Sequence, residues 1–171
     1  MPQLVPFISQ IAIARMVSRL AGEIQTAVGP SPLTAIMLLD GACFFAVDLV
    51  RQLALPDLVL RSMRAESYHG RTQSSGEVRI EHLPDLPHRQ VLLIDDILDT
   101  GRTLLAVKSA LLVAGVKEVK TCVLLSKPSR RVVPFEADFI GCTIPDRFVV
   151  GYGMDWQGKY RHLPEIMELL P

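Results

Sequence analysis

Residues 91–104 read VLLIDDILDTGRTL. Val91 to Ile94 form a short, continuous apolar run of the kind a strand buried on both faces requires. Asp95 and Asp96 follow at its carboxyl end, where open α/β sheets bind ligands. Asp99-Thr100-Gly101-Arg102-Thr103 then leads into a helical pattern, Thr100 to Ala114, which Gly115 ends. Gly101 permits close backbone approach. The unpaired N–H groups of the first helical turn, with the hydroxyls of Thr100 and Thr103, make an anion cradle suited to a phosphate monoester. Two carboxylates beside an anion site fit a ligand that also carries hydroxyls. Asp95 and Asp96 can accept from a ribose diol and reach Mg²⁺ through water. Asp99 is placed to act as a base; on the residues alone, capping of the helix stays open for it. No G-x-x-x-x-G-K run occurs, so the segment is not a Walker A loop.

The surrounding pattern alternates strands and helices. Residues 8–27 read as a helix with Ile11, Ala14, Val17, Leu20, Ala21 and Ile24 on one face, ended by Gly29, Pro30 and Pro32. Residues 34–39 read as a strand, CFFAVDLVRQL as a helix, and residues 57–65 as a further strand. The polar stretch ESYHGRTQSSG suggests a mobile loop or a long hairpin tip, after which EVRIEHL is extended. Residues 119–125 and 137–144 are two more apolar strands, and the last ~25 residues read as an irregular tail. The sum is an α/β fold around a largely parallel central sheet flanked by helices.

At 171 residues, one domain spanning 1–171 is expected. Hydrophobic residues make up 49%, enough for a sizeable core, and the formal net charge is zero, which argues against a general nucleic-acid binder. Cys43, Cys122 and Cys142 lie in apolar stretches without a C-x-x-C pair and read as buried free thiols in a reducing compartment. No pair among His69, His82, His88 and His162 has metal-ligand spacing. The N-terminal stretch MPQLVPFISQIAIARMVSRL lacks a basic leader, and Arg15 and Arg19 interrupt it, so it reads as an amphipathic helix of a cytoplasmic protein.

The run from Val91 to Leu104 resembles the phosphoribosyl diphosphate (PRPP) signature of the type I phosphoribosyltransferases. The rest of the chain resembles the hypoxanthine–guanine branch of that family, through separated motifs in the right order. The resemblance implies a mobile active-site loop at about 65–77, a small hood built from the chain termini, and a purine-binding segment at about 145–171. It implies ribose contacts from Asp95 and Asp96, 5′-phosphate contacts from Thr100, Gly101, Arg102 and Thr103, and Asp99 as the general base near purine N7. In LLSKPSRR, Lys127 would donate to the purine 6-oxo group. In IPDRFVVGYGMDWQGKYRHLPEI, Phe148 would stack on the base, Val149 would meet it through its backbone, Asp155 would sit near Mg²⁺ and the purine 2-position, and Arg161 would bind pyrophosphate. Without those motifs, Lys127, Asp155 and Arg161 read as surface residues and Phe148 as core. Ser67 and Tyr68 match the Ser-Tyr of the mobile loop.

One departure stands out. The pyrophosphate loop of the family usually reads Leu-Lys-Gly; here it is Leu39-Asp40-Gly41. The N–H groups of Gly41 and Ala42 could still hold an anion, Asp40 could reach Mg²⁺ or a neighbouring subunit, and the family's non-proline cis peptide would fall at Leu39–Asp40. The resemblance implies Mg²⁺ as cofactor, PRPP and a 6-oxopurine as substrates, a homodimer or homotetramer, and neither membrane nor nucleic acid as partner. A similar signature occurs in RNA-binding attenuators of the same fold. Those typically carry tyrosine at the position of Asp99, so Asp99 and the zero net charge favour an enzyme.

Overall fold

The computed structural model describes residues 3–67, 78–87 and 90–170. Strands β2 (Leu33–Leu39), β3 (Leu58–Ser67), β4 (Val78–Ile80), β5 (Gln90–Leu98), β6 (Glu118–Ser126) and β7 (Phe139–Thr143) form one sheet in the order β4-β3-β2-β5-β6-β7. All its pairings are parallel except that of β4 on β3. Helices α1 (Gln10–Val28) and α2 (Cys43–Gln52) pack on one face and α3 (Arg102–Val113) on the other. Strand residues feed the two cores alternately. Leu92 and Ile94 of β5 join the core under α1 and α2, while Val91 and Leu93 join the core under α3. That is why VLLI is apolar throughout.

Helix α1 begins when the Ser9 side chain accepts from Ala12 N at 3.3 Å, and it ends at Gly29, which takes φ +65°. Its buried stripe is Ile13, Val17, Leu20, Ala21, Ile24 and Val28. Ile11 and Ala14, expected on that face, are exposed, because a helix turns ~100° per residue and the stripe is set by Ile13.

The N-terminal stretch is not one helix. Gln3–Ile8 is a strand, β1, which pairs antiparallel with β9 (Ile166–Leu170); β9 also pairs with β8 (Val149–Val150). These form a second, three-stranded sheet, β1-β9-β8. Pro6 is tolerated because β1 lies at its edge. The tail read as irregular therefore contains two strands, and the hood expected from the termini is this sheet. Of the cysteines, Cys122 is buried, whereas Cys43 and Cys142 are half-buried; all three are free. Among the described residues, no helix is long and apolar enough to cross a membrane.

Candidate active site

The crevice opens where sheet pairing becomes one-sided. β2 pairs with β5 only as far as Met37↔Ile94, whereas β5 continues along β6 to Leu98↔Ser126. Beyond Ile94 the β2 side of β5 is therefore open, at the point where strand order reverses. Asp95 and Asp96 lie on this half-paired strand, not in the loop after it. The Asp95 Oδ1 accepts from Asp96 N at 3.0 Å, and Asp96 Oδ1 accepts from Ile97 N at 2.8 Å. Desolvation raises the pKa of both carboxyls; the neighbouring charge of Asp96 adds to it for Asp95, while hydrogen bonds and then the Arg161 charge partly offset it for Asp96.

That crowding of two half-buried, desolvated carboxyls has a consequence for stability. A carboxyl whose folded-state pKa is raised contributes fully below the ordinary carboxylate range and loses that contribution as pH rises through the raised value. Asp95→Asn keeps the acceptor for Asp96 N and removes one charge. The ligand-free variant is expected to melt about 2–4 °C higher at pH 8, the change that ~1 kcal/mol produces in a chain of this size. The gain should shrink towards pH 4. A variant that melts lower at pH 8 would show that the pair is not a strained one.

After β5 the chain forms a small concavity of about 60 Å³, lined by Asp95, Asp99, Thr100, Gly101 and Thr103 among others. Gly101 takes φ +84° as the N-cap of α3, so the helix begins at Arg102, and Asp99 is not its cap. A Cβ on Gly101 would lie 3.0 Å from Val133 and 3.1 Å from Arg131. The Thr100 hydroxyl accepts from Arg102 N at 3.4 Å.

A larger cavity of about 410 Å³ adjoins it, lined by Asp96, Ile97, Asp99, Lys127, Phe148, Val149, Met154 and Asp155, with Arg130 and Asp146 at its margin. Lys127 is 7% exposed, and its Nζ lies 3.8 Å from Asp146 Oδ1. The Phe148 carbonyl accepts from Leu169 N at 2.9 Å, yet the residue is 53% exposed; its backbone is tied to β9 while the side chain is left largely uncovered. Val149 is buried in β8.

The third wall is the loop after β2. The Leu39–Asp40 peptide is cis. Asp40 Oδ1 accepts from Arg64 at 2.6 Å, across the Leu39↔Arg64 register of β2 and β3. The acid at this position thus comes with a cation from the neighbouring strand. Ala42 N, expected to be available to an anion, instead donates to Leu38 O at 3.3 Å, and Cys43 N donates to Asp40 O at the same distance. Gly41 is pressed against the Asp96 carboxylate; a Cβ there would lie 2.0 Å from Asp96 Oδ2.

The hood closes over this loop. Gly153, at φ +104°, comes so near that a Cβ would lie 2.0 Å from the Gly41 carbonyl oxygen. Arg161 donates to Gly153 O at 2.5 Å and to Asp155 Oδ1 at 2.8 Å, and the other Asp155 oxygen accepts from Gly158 N at 2.6 Å. Asp155 and Arg161 therefore first brace the hood. Tyr152 is held beneath it by donating to Asp48 Oδ2 at 2.7 Å; burial, followed by the bond to Asp48 and its charge, raises its pKa.

Of the candidates, Asp95, Asp96, Asp99, Thr100, Gly101, Thr103, Lys127, Phe148, Val149 and Asp155 line the two concavities; Gly41 abuts Asp96, Arg161 binds Asp155, and Leu39, Asp40 and Arg102 line neither. Ser67 ends β3 opposite Val78, while Tyr68 and the rest of the loop lie outside the described residues. Arg64, Arg130, Arg131 and Asp146 were not anticipated from the sequence. The two tandem arginines stood in the quoted LLSKPSRR run; Arg64 had no local signal, since its partner is 24 residues away. Among the described residues no cluster of three or more His, Cys, Asp or Glu could hold a metal. Among the described residues a closed metal cage is thus not built. The Asp95–Asp96 pair does fit a cation or diol arriving with a substrate, which would relieve two adjacent half-buried carboxylates.

Comparison with known proteins agrees with this geometry. The family model for the phosphoribosyl transferase domain matches residues 8–157. The hypoxanthine-guanine phosphoribosyltransferase of Aquifex aeolicus is 43% identical over 158 residues, covering 90% of this chain and 88% of that protein. The enzyme of the same name from Staphylococcus aureus strain N315 is 41% identical over 82% of this chain and 79% of its own. Among solved structures, a hypoxanthine phosphoribosyltransferase from Staphylococcus aureus superposes with a TM-score of 0.90 at 36% identity, covering 97% of this chain and 91% of that one. A hypoxanthine-guanine phosphoribosyltransferase from Bacillus anthracis also gives 0.90, at 34% identity, covering 96% and 98%. The chain belongs to the phosphoribosyl transferase domain family, in the branch of the hypoxanthine-guanine phosphoribosyltransferases.

Proposed function

We propose that the protein transfers the 5-phosphoribosyl group of PRPP to N9 of hypoxanthine or guanine, releasing pyrophosphate. The observation that carries this reading is that the two concavities share Ile97 and Asp99 as a common wall. A ribose phosphate in the smaller one and a planar base in the larger one would meet beside Asp99. The 5′-phosphate is held by Thr100 to Thr103 and the α3 N-terminus, and the ribose diol by Asp95 and Asp96. The base stacks on the uncovered Phe148 ring, with Lys127 donating to its 6-oxo group and Asp99 taking the N7 proton as N9 bonds to C1′. Electron density leaves C1′ with the pyrophosphate oxygen, near Arg161 and the Asp40–Arg64 pair. Mg²⁺, when bound with PRPP, would neutralise the diphosphate. Asp95 and Asp96 would hold it through the ribose or water, and Asp155 through water. Self-association as a dimer or tetramer goes with this reading; exposed Ile11, Phe44 and Val47 offer apolar surface for it, and sedimentation velocity reads the assembly.

The deciding experiment is a steady-state comparison of hypoxanthine, guanine and xanthine with PRPP and Mg²⁺. Nucleotide formation with hypoxanthine or guanine is expected. No product from any of them overturns the proposal, and activity on xanthine alone reassigns the base. Lys127→Ala should raise KM for the base about tenfold to a hundredfold, the cost of losing a charged hydrogen bond in a buried site. KM for PRPP should stay within about twofold, because Lys127 lies outside the smaller concavity. Equal loss of both would make Lys127 a structural residue.

A further inference from the structure

We infer that Arg130 and Arg131 are the positioning residues of Asp99, Arg131 holding its backbone and Arg130 its carboxylate. The inference rests on the proposed role of Asp99 and adds two residues to the machinery. Both arginines leave the turn that follows β6. In that turn Arg130 N donates to Lys127 O at 3.1 Å and Arg131 N to Pro128 O at 3.2 Å, so their directions are set by the same backbone that presents Lys127.

The side chain of Arg131 is 10% exposed and runs beneath the end of β5. Its guanidinium donates to Leu98 O at 2.9 Å, to Asp99 O, and to Ser126 Oγ at 3.0 Å. One planar group thus ties the chain on both sides of the 98–99 peptide to the end of β6. Two backbone bonds close the same seam: Lys127 N donates to Leu98 O at 2.9 Å and Val132 N to Thr100 O at 3.1 Å.

Arg130 acts on the other end of Asp99. Its Nε donates to Asp99 Oδ1 at 3.2 Å, and its Nη1 lies 3.8 Å from Asp146 Oδ2. The second Asp146 oxygen is 3.8 Å from the Lys127 Nζ. Charges therefore alternate along the cavity margin in the order Asp99, Arg130, Asp146, Lys127. The Asp99 and Arg130 side chains are 37% and 49% exposed, so their pairing adds little to stability. Its effect is orientation: with Oδ1 committed to Arg130, the rotamer is fixed and Oδ2 is left to receive a proton. Small misplacement of such a group costs rate rather than affinity.

The test is a double-mutant cycle of Arg130→Ala with Asp99→Asn, read as kcat and as KM for each substrate, with melting temperatures as a folding control. With Asp99 present, Arg130→Ala should lower kcat about tenfold and leave KM for PRPP and the melting temperature unchanged; Arg130→Lys should restore part of the rate. In the Asp99→Asn background, the same Arg130→Ala change should alter kcat less than about twofold, since a side chain that takes no proton has nothing to be positioned for. An equal fold-loss in both backgrounds, or a loss confined to KM for the base, overturns the inference and makes Arg130 a direct substrate contact. Activity of the unmodified protein separates this failure from that of the proposed function.

Discussion

Asp99→Asn is expected to lower kcat by about two to three orders of magnitude, the range a positioned acid–base group supplies. Asparagine has the same shape and can still accept from Arg130, so the wall between the two concavities should survive. What it cannot do is take a proton from N7. PRPP binding should change less than about twofold, because Thr100 to Thr103 and the α3 N-terminus are untouched. Because kcat and kcat/KM should fall together, the lost interaction would be one made in the transition state. Single-turnover formation of labelled nucleotide from hypoxanthine measures it. Unchanged turnover would leave Asp99 as a wall residue only.

Gly153→Ala should have the largest effect away from the reacting atoms. Gly153 holds φ +104°, and an added Cβ would stand 2.0 Å from the Gly41 carbonyl oxygen, a backbone atom that cannot swing away. Gly153 also donates to Arg161 O at 3.0 Å and accepts from the Arg161 side chain, so the hood cannot shift alone. The expected cost is about 2–4 kcal/mol, a large value for a point change and one with a named steric cause. In a chain of this length that lowers the melting temperature by about 5–15 °C. KM should rise for both substrates, because the Gly41 loop and the base wall move together. Gly158→Ala is the control. It has φ +76° with nothing within 4 Å of the added Cβ, so it carries the backbone strain alone, ~1 kcal/mol. Equal losses at the two positions would show that the close approach of hood and loop is not what matters.

The half of the candidate site that residues 95–103 build was legible in sequence because it is local. Asp95 to Thr103 sit on consecutive residues, and the apolar strand and following helix announce how they are displayed. Asp95 and Asp96 were expected after the strand, whereas pairing with β6 carries the strand past them. Pairing is a property of the neighbour, so the chain's own pattern could not set that end. Lys127, Phe148, Asp155 and Arg161 could be found only through resemblance, since each alone resembles an ordinary surface or core residue. β1 escaped notice because its apolar residues merge with those of α1 and because Pro6 argues against a strand; the edge position that tolerates it is tertiary information. Asp40 alone reads as a lost cation; Arg64, on the neighbouring strand and 2.6 Å away, is a partner that the local sequence does not disclose.

The pairing of β1 with β9 has a kinetic side. Gln3 faces Leu170, so the sheet that fixes Phe148 joins the most distant parts of the described chain. Closing so long a loop is slow and gains its contacts late, after the central strands have their local partners. The wall that carries Phe148 is therefore expected to be the last part of the crevice to assemble and the first to open. In native-state hydrogen exchange, amides of β1, β8 and β9 should lose protection before those of β5 and β6, leaving an intermediate that keeps the concavity at the α3 N-terminus but lacks the wall carrying Phe148.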